Sequence, residues 1–273
     1  MSPLLAALLF AVALWWLGTG VVLYLQQRLE PRREHGGMSV SALAIGGFGA
    51  LAVVALLWTG TLGGAVPSLA AFSAAIVLWG TLELSHYLGL VTGTHERRCP
   101  DGARGWRRFR LALGTSIWHE LSVLGAGLML TALLWNADNP AGLYTFLVLW
   151  LMRWSAKLNL FFGVPNFSTE WFPARLSHLA SYVRRAPVSV LYPVSLTLAT
   201  LGVVQLVALA LAAGERHALV HALPAALLLL AVVEHAFMAL PVADTRLWNR
   251  VFGLRGSVSE PSTSPAAPRP PSA

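Results

Sequence analysis

Long apolar runs separated by short polar connections set the pattern of this chain. A bilayer-spanning helix needs about 20 largely apolar residues at a rise of about 1.5 Å each. Seven stretches meet that length: Pro3–Leu25, Val40–Leu62, Val66–Leu88, Leu111–Trp135, Ala141–Gly163, Val190–Ala213 and Val220–Pro241. In lipid only a helix satisfies its own backbone N–H and C=O groups, so each stretch is expected to be helical. The pattern therefore predicts an all-α integral membrane protein, with about seven transmembrane helices in one bundle. Glycines such as those in Gly46-Gly47-Phe48-Gly49 fit that class, because small residues let membrane helices approach closely. The first run reaches Leu25 and has no positive residue before it, so it is expected to stay as a span rather than be cleaved. Residues 1–255 read as a single transmembrane domain. The proline- and serine-rich stretch 256–273 reads as a disordered tail.

Charge sets the orientation. The connections after the first, third and fifth spans, with the tail, hold sixteen basic residues, whereas the other connections hold one, Arg216. By the positive-inside rule the amino terminus is periplasmic and the carboxyl terminus cytoplasmic. Trp58 and Trp135 then fall at the outer interface, and Trp106, Trp171 and Trp248 at the inner one. In the inner connection Pro173–Arg185, Leu176, Leu179, Ala180 and Val183 share one helical face, opposite Arg175, Ser177, His178, Ser181, Arg184 and Arg185. That arrangement predicts an interfacial amphipathic helix on the inner leaflet.

Composition agrees with lipid as the solvent. Of 273 residues, 56% are hydrophobic and 11% charged, where soluble domains carry about 25% charged residues. The net charge of +7 comes from arginines placed between apolar runs, so it argues for topology and anionic headgroups and against a nucleic-acid partner. Cys99 is the one cysteine, which excludes an intrachain disulfide.

Ionisable residues inside spans are costly and need a partner or a purpose. Eight stand out: Glu83 and His86, His119 and Glu120, Arg153 and Lys157, and Glu234 and His235. The topology puts all eight in the cytoplasmic half of four spans, from the inner interface to roughly 15 Å deep, which predicts one shared site. Three readings fit these residue types. Glu83-x-x-His86 has the i, i+3 spacing of carboxylate-bridged di-iron helices, and Glu83, His86, His119, Glu120, Glu234 and His235 make a candidate dinuclear metal set. The second reading is a tetrapyrrole pocket. There His86, His119 and His235 supply axial nitrogens, Trp79 and Trp118 line the ring, and Arg153 or Lys157 meets a carboxylate. The third is a buried ion-pair network in which Arg153 and Lys157 neutralise two of the glutamates and fix helix packing. A retinal protein is excluded, since a Schiff base needs a lysine in the seventh span and the lysine of this chain is Lys157 in the fifth.

Three stretches resemble the photosynthetic complex assembly proteins called PuhE of purple phototrophic bacteria. They are Gly93-Thr94-His95-Glu96 with Ser116-Ile117-Trp118-His119-Glu120, then Ser155 through Asn166, and then Tyr192-Pro193-Val194-Ser195. The resemblance runs from the first span to about Phe252. It implies a bacterial inner-membrane factor, encoded beside the reaction-centre H subunit, that supports assembly of the photosynthetic unit and bacteriochlorophyll supply. The implied partners are reaction-centre or light-harvesting subunits and other assembly factors, and the implied cofactor is bacteriochlorophyll or another tetrapyrrole. The family offers no agreed catalytic activity. The alternative is a membrane metalloenzyme that uses the Glu/His set on a lipid-soluble substrate.

Overall fold

The computed structural model of the protein describes residues 2–29, 40–167 and 174–240. Its helices are α1 (Pro3–Arg28), α2 (Val40–Gly60), α3 (Ala65–Tyr87), α4 (Gly105–Gly114), α5 (Ile117–Leu134), α6 (Ala141–Phe162), α7 (Leu191–Ala212) and α8 (Gly214–Ala239). A short 3₁₀ helix, Ala174–Tyr182, lies between α6 and α7. Six of these helices (α1, α2, α3, α5, α7 and α8) are long and apolar enough to cross a membrane. α6 is as long, but Arg153 and Lys157 lower its apolarity. It packs against α3, α5, α7 and α8, so its two cations are kept among protein neighbours. The bundle is that of a multi-pass membrane protein. Trp171, Trp248 and the Pro/Ser-rich tail lie outside the described residues.

Burial follows from which helices carry polar residues. α3 touches α1, α2, α5, α6 and α8, and with α8 it is the most enclosed. Phe72, Leu130, Leu143, Phe146, Leu223 and Leu227 fill the core around it. Trp79 meets Phe146 edge to face, with centroids 5.6 Å apart. α2 and α7 have no charged residue and present apolar side chains outward, including Phe48, Leu51, Val54, Leu198, Leu201 and Val204. That is the distribution expected where the surrounding solvent is lipid.

The expected fourth span, Leu111–Trp135, is divided. α4 ends at Gly114, Thr115 and Ser116 turn, and α5 starts at Ile117. Gly-Thr-Ser is a weak helix-forming run, and here the loop after α3 takes over the backbone groups that it frees. The Thr92 carbonyl accepts from the N–H groups of Trp118 (3.0 Å) and His119 (3.1 Å), and Thr94 N–H donates to the Gly114 carbonyl at 2.8 Å. This contact needs Gly93, because a Cβ there would stand 2.1 Å from the Gly114 oxygen. The Gly93-Thr94 and Ser116–Glu120 stretches singled out in the sequence are thus two sides of one backbone joint.

The inner connection also differs from expectation. Ala174–Tyr182 winds at three residues per turn, which aligns Leu176, Leu179 and Tyr182 rather than the set expected at 3.6. His178, placed on the polar face by the sequence pattern, is buried with Nδ1 3.2 Å from the Arg175 carbonyl. The segment is tied to protein. Arg175 donates to the Leu88 carbonyl (2.8 Å), Cys99 N–H donates to Ser181 Oγ (2.8 Å), and Arg108 donates to the Phe161 (3.1 Å) and Tyr182 (2.6 Å) carbonyls.

Orientation can be checked with Cys99, which lies at the arginine-rich end and is half-buried. A membrane-impermeant maleimide is expected to label it in inverted vesicles and to miss it in right-side-out ones. Arg216→Cys in a Cys99→Ser background is expected to give the opposite result, and matching patterns at the two positions would overturn the orientation.

Candidate functional site

Glu83, Glu120, Arg153 and Lys157 meet where α3, α5 and α6 converge, at the arginine-rich end. Arg153 Nε lies 2.5 Å from Glu83 Oε1 as an ion pair, and its Nη1 donates to Glu120 Oε1 at 2.9 Å. Lys157 Nζ pairs with the same Glu120 oxygen and donates to Ser116 Oγ at 3.1 Å, while the Ser116 hydroxyl donates to Glu120 at 3.3 Å. Two carboxylates face two cations, so the quartet carries no net formal charge. An isolated charge in such a place would cost several kcal/mol, and pairing plus hydrogen bonding is what makes burial tolerable. Arg153 and Lys157 are one helical turn apart, so both reach the same carboxylate.

The histidines complete this centre without joining its hydrogen bonds directly. His86 Nδ1 donates to the Val91 carbonyl at 3.1 Å. The His119 ring stacks on His86 with centroids 4.6 Å apart, and its Nε2 lies 3.6 Å from Glu83 Oε1. His119 is wholly buried.

Of the eight residues expected at one site, the structure unites six. Glu234 and His235 belong elsewhere. The Trp15 indole N–H donates to Glu234 at 2.8 Å between α1 and α8. His235 Nδ1 donates to the Ala231 carbonyl at 2.9 Å, so its Nε2 accepts from Ser155, also at 2.9 Å. Around this contact is a second polar centre on α6, α7 and α8. Buried Asn159 donates to the Ser155 carbonyl (2.9 Å) and to Ser195 Oγ (3.3 Å), and the Tyr192 hydroxyl donates to the His235 carbonyl (3.2 Å). The Ser155–Asn166 and Tyr192–Ser195 stretches meet here. Asn166 caps the end of α8, donating to the carbonyls of Phe237 (3.0 Å) and Leu240 (2.7 Å). Gly163, at φ +140°, supplies the turn that carries the chain there.

This geometry separates the three readings. Both carboxylates of the main centre already hold cations, and among the described residues no group of three or more His, Cys, Asp or Glu is placed to bind a metal. The proposed aromatic lining is also dispersed. Trp79 packs in the core, and Trp118 is 54% exposed on the outer surface of α5. The quartet is an ion-pair network.

That network is also the floor of a cavity of about 290 Å³. Phe109 and Leu113 of α4, Leu160 and Phe161 of α6, Leu179 of the 3₁₀ helix and Val183 just after it form apolar walls. His86, Tyr87, Trp154 and the quartet face it from the other side. Its size is at the lower limit of ligand pockets, about 300–1,000 Å³, which suits a single chain or a small head group. Tyr87, Ser116 and the α4 wall were not legible as site residues, because uncharged side chains carry no depth signal in an apolar run.

Over residues 1–257 the chain matches the family described as a protein of unknown function, DUF3623. It is 36% identical to a Rhodobacter capsulatus protein described as an uncharacterized 30.4 kDa protein in the puhA 5′ region, over 274 residues that cover 98% of this chain and 97% of that one. No solved structure matches the chain significantly.

Removing one partner from a buried ion network leaves an uncompensated charge. Glu120→Ala is therefore expected to lower stability by about 3–5 kcal/mol. Arg98→Ala, on an exposed loop, is expected to stay within about 0.5 kcal/mol. Unfolding of the purified protein in mixed micelles compares them, and equal effects would refute the quartet as the fastening of this end.

Proposed function

The chain belongs to the DUF3623 family, and on that premise we propose that it is a multi-pass membrane factor with a photosynthesis-related role. More finely, it supports assembly of the reaction-centre and light-harvesting complexes and bacteriochlorophyll supply in a bacterial inner membrane, without chemistry of its own. One observation carries the reading. The nearly full-length relative is named for its place in the puhA 5′ region, and the PuhE resemblance independently implies a gene beside that of the reaction-centre H subunit.

The site geometry supports a binding role over a catalytic one. A catalytic carboxylate must be free to move a proton or hold a metal, whereas Glu83 and Glu120 are engaged by Arg153 and Lys157. The quartet instead fixes three helices around an apolar cavity beside the arginine-rich end. Partner subunits have two uncharged helices, α2 and α7, to meet within the lipid. Helix association there depends on packing and small residues rather than on burial of apolar area.

The host organism supplies the test. His86→Ala removes a cavity-facing imidazole, and Leu179→Trp fills the cavity without touching an ion pair. Both variants are expected to accumulate at wild-type levels while near-infrared absorption of the photosynthetic complexes falls several-fold. Wild-type spectra from both, at wild-type protein levels, would overturn the role assigned to the cavity.

A further inference from the structure

Glu83 and Glu120 are buried and each meets a cation, whereas Glu234 does neither. It is exposed on the surface of α8, and among the described residues no cation lies within ion-pair distance of it. Its polar contact there is the Trp15 indole N–H, which donates to Oε1 at 2.8 Å. The level matters. Glu234 precedes the last residue of α8, Ala239, by five, so it lies roughly 8 Å inside that end. The helix runs on past it through Ala236, Phe237, Met238 and Ala239, so the surroundings at its level are apolar. One neutral hydrogen bond does not replace the hydration or the counter-ion that a carboxylate needs in such a place. The surface beside it is apolar as well. Leu229, Val233, Phe237 and Leu240 are all exposed, and their spacing lines them along one face of α8 next to Glu234.

We infer that this face of α8 docks a transmembrane helix of another protein, one that carries a lysine or arginine at the level of Glu234. As a statement about partners it rests on the assembly reading, though not on the cavity, which Glu234 does not line. The Trp15 N–H holds the carboxylate from one side, and the open side of the carboxylate takes the cation. The benefit is mutual, because a cation on the arriving helix meets the same cost in lipid. A wholly apolar helix covers the strip of Leu229, Val233 and Phe237 but leaves Glu234 without a counter-ion. An acidic helix adds a second negative charge. A second copy of this chain brings Glu234 again, and its Arg153 and Lys157 are already held by Glu83 and Glu120. Packing on the apolar strip supplies contact area, and the ion pair supplies register and choice of partner.

The experiment places the full chain, with a donor dye on Cys99, in nanodiscs of phosphatidylcholine, a lipid without a primary amine. The probes are synthetic Leu/Ala transmembrane helices with an acceptor dye and one variable residue about 8 Å inside the labelled end. Energy transfer is expected to show the lysine probe bound about fivefold or more tightly than the leucine probe, and the glutamate probe no better than leucine. Glu234→Gln keeps the shape and an acceptor for Trp15, and is expected to reduce the lysine probe to the level of leucine. Because the probe panel is run on wild-type protein, it decides the matter even where the variant does not accumulate. Equal binding of the lysine and leucine probes would overturn the inference, as would a lysine preference that survives Glu234→Gln. A preference that emerges only in Arg246→Ala/Arg250→Ala would also overturn it, by showing that the chain's own arginines occupy Glu234. A Glu234-dependent lysine preference with unaltered photosynthetic complexes in the Glu234→Gln host would leave the docking face standing and remove its link to assembly.

Discussion

The cost of a charge in lipid governs this structure. Arg153 and Lys157 are tolerated on α6 because Glu83 and Glu120 come to them from α3 and α5, and each carboxylate is tolerated for the same reason. None of the three helices can rotate or slide by a turn without stranding an ion, so the quartet fixes register where apolar packing alone is permissive. Leu and Val side chains slide past lipid and past each other at little cost. A two-against-two charge set with a shared carboxylate oxygen does not. The order of the bundle follows, with α3 and α6 enclosed and the uncharged α2 and α7 left outside.

α6 holds two jobs on opposite faces. Arg153 and Lys157 face α3 and α5, whereas Ser155 and Asn159, offset by two residues, face α7 and α8. A helix places residues two apart on nearly opposite sides, so one short stretch fastens both halves of the molecule. Ser155 differs here from Thr145 and Ser195, which bond back to the carbonyl four residues earlier. The Ser155 hydroxyl crosses to His235 instead, joining α6 to α8.

Most of the fold was legible in the sequence because lipid leaves the chain few options. Every expected span is helical, within a few residues of its expected ends. The exceptions have local causes. The span from Leu111 divides at Thr115, since Thr92 and Thr94 supply the backbone partners that hydropathy cannot register. The inner amphipathic segment was read at 3.6 residues per turn, but it is a 3₁₀ helix in which Leu176 and Tyr182 align at three per turn and are buried. At the site, depth along each span correctly gathered Glu83, His86, His119, Glu120, Arg153 and Lys157. Depth says nothing about azimuth, however, and azimuth sends Glu234 to Trp15 and His235 to Ser155. Azimuth likewise sends Trp79 to the core and Trp118 to the outer surface of α5.

The order of the quartet along the chain has a consequence for how the protein is made. Glu83 and Glu120 leave the ribosome before Arg153 and Lys157, because synthesis proceeds from the amino terminus. For that interval α3 and α5 carry carboxylates with no counter-ion, at an insertion penalty of about 2.5–3.5 kcal/mol for an acidic residue at mid-bilayer and less toward the interface. Arrival of α6 removes the penalty for both at once. The translocation machinery thus has a reason to hold α3 and α5 at its lateral opening, and to release the three helices into the bilayer as a single neutral bundle.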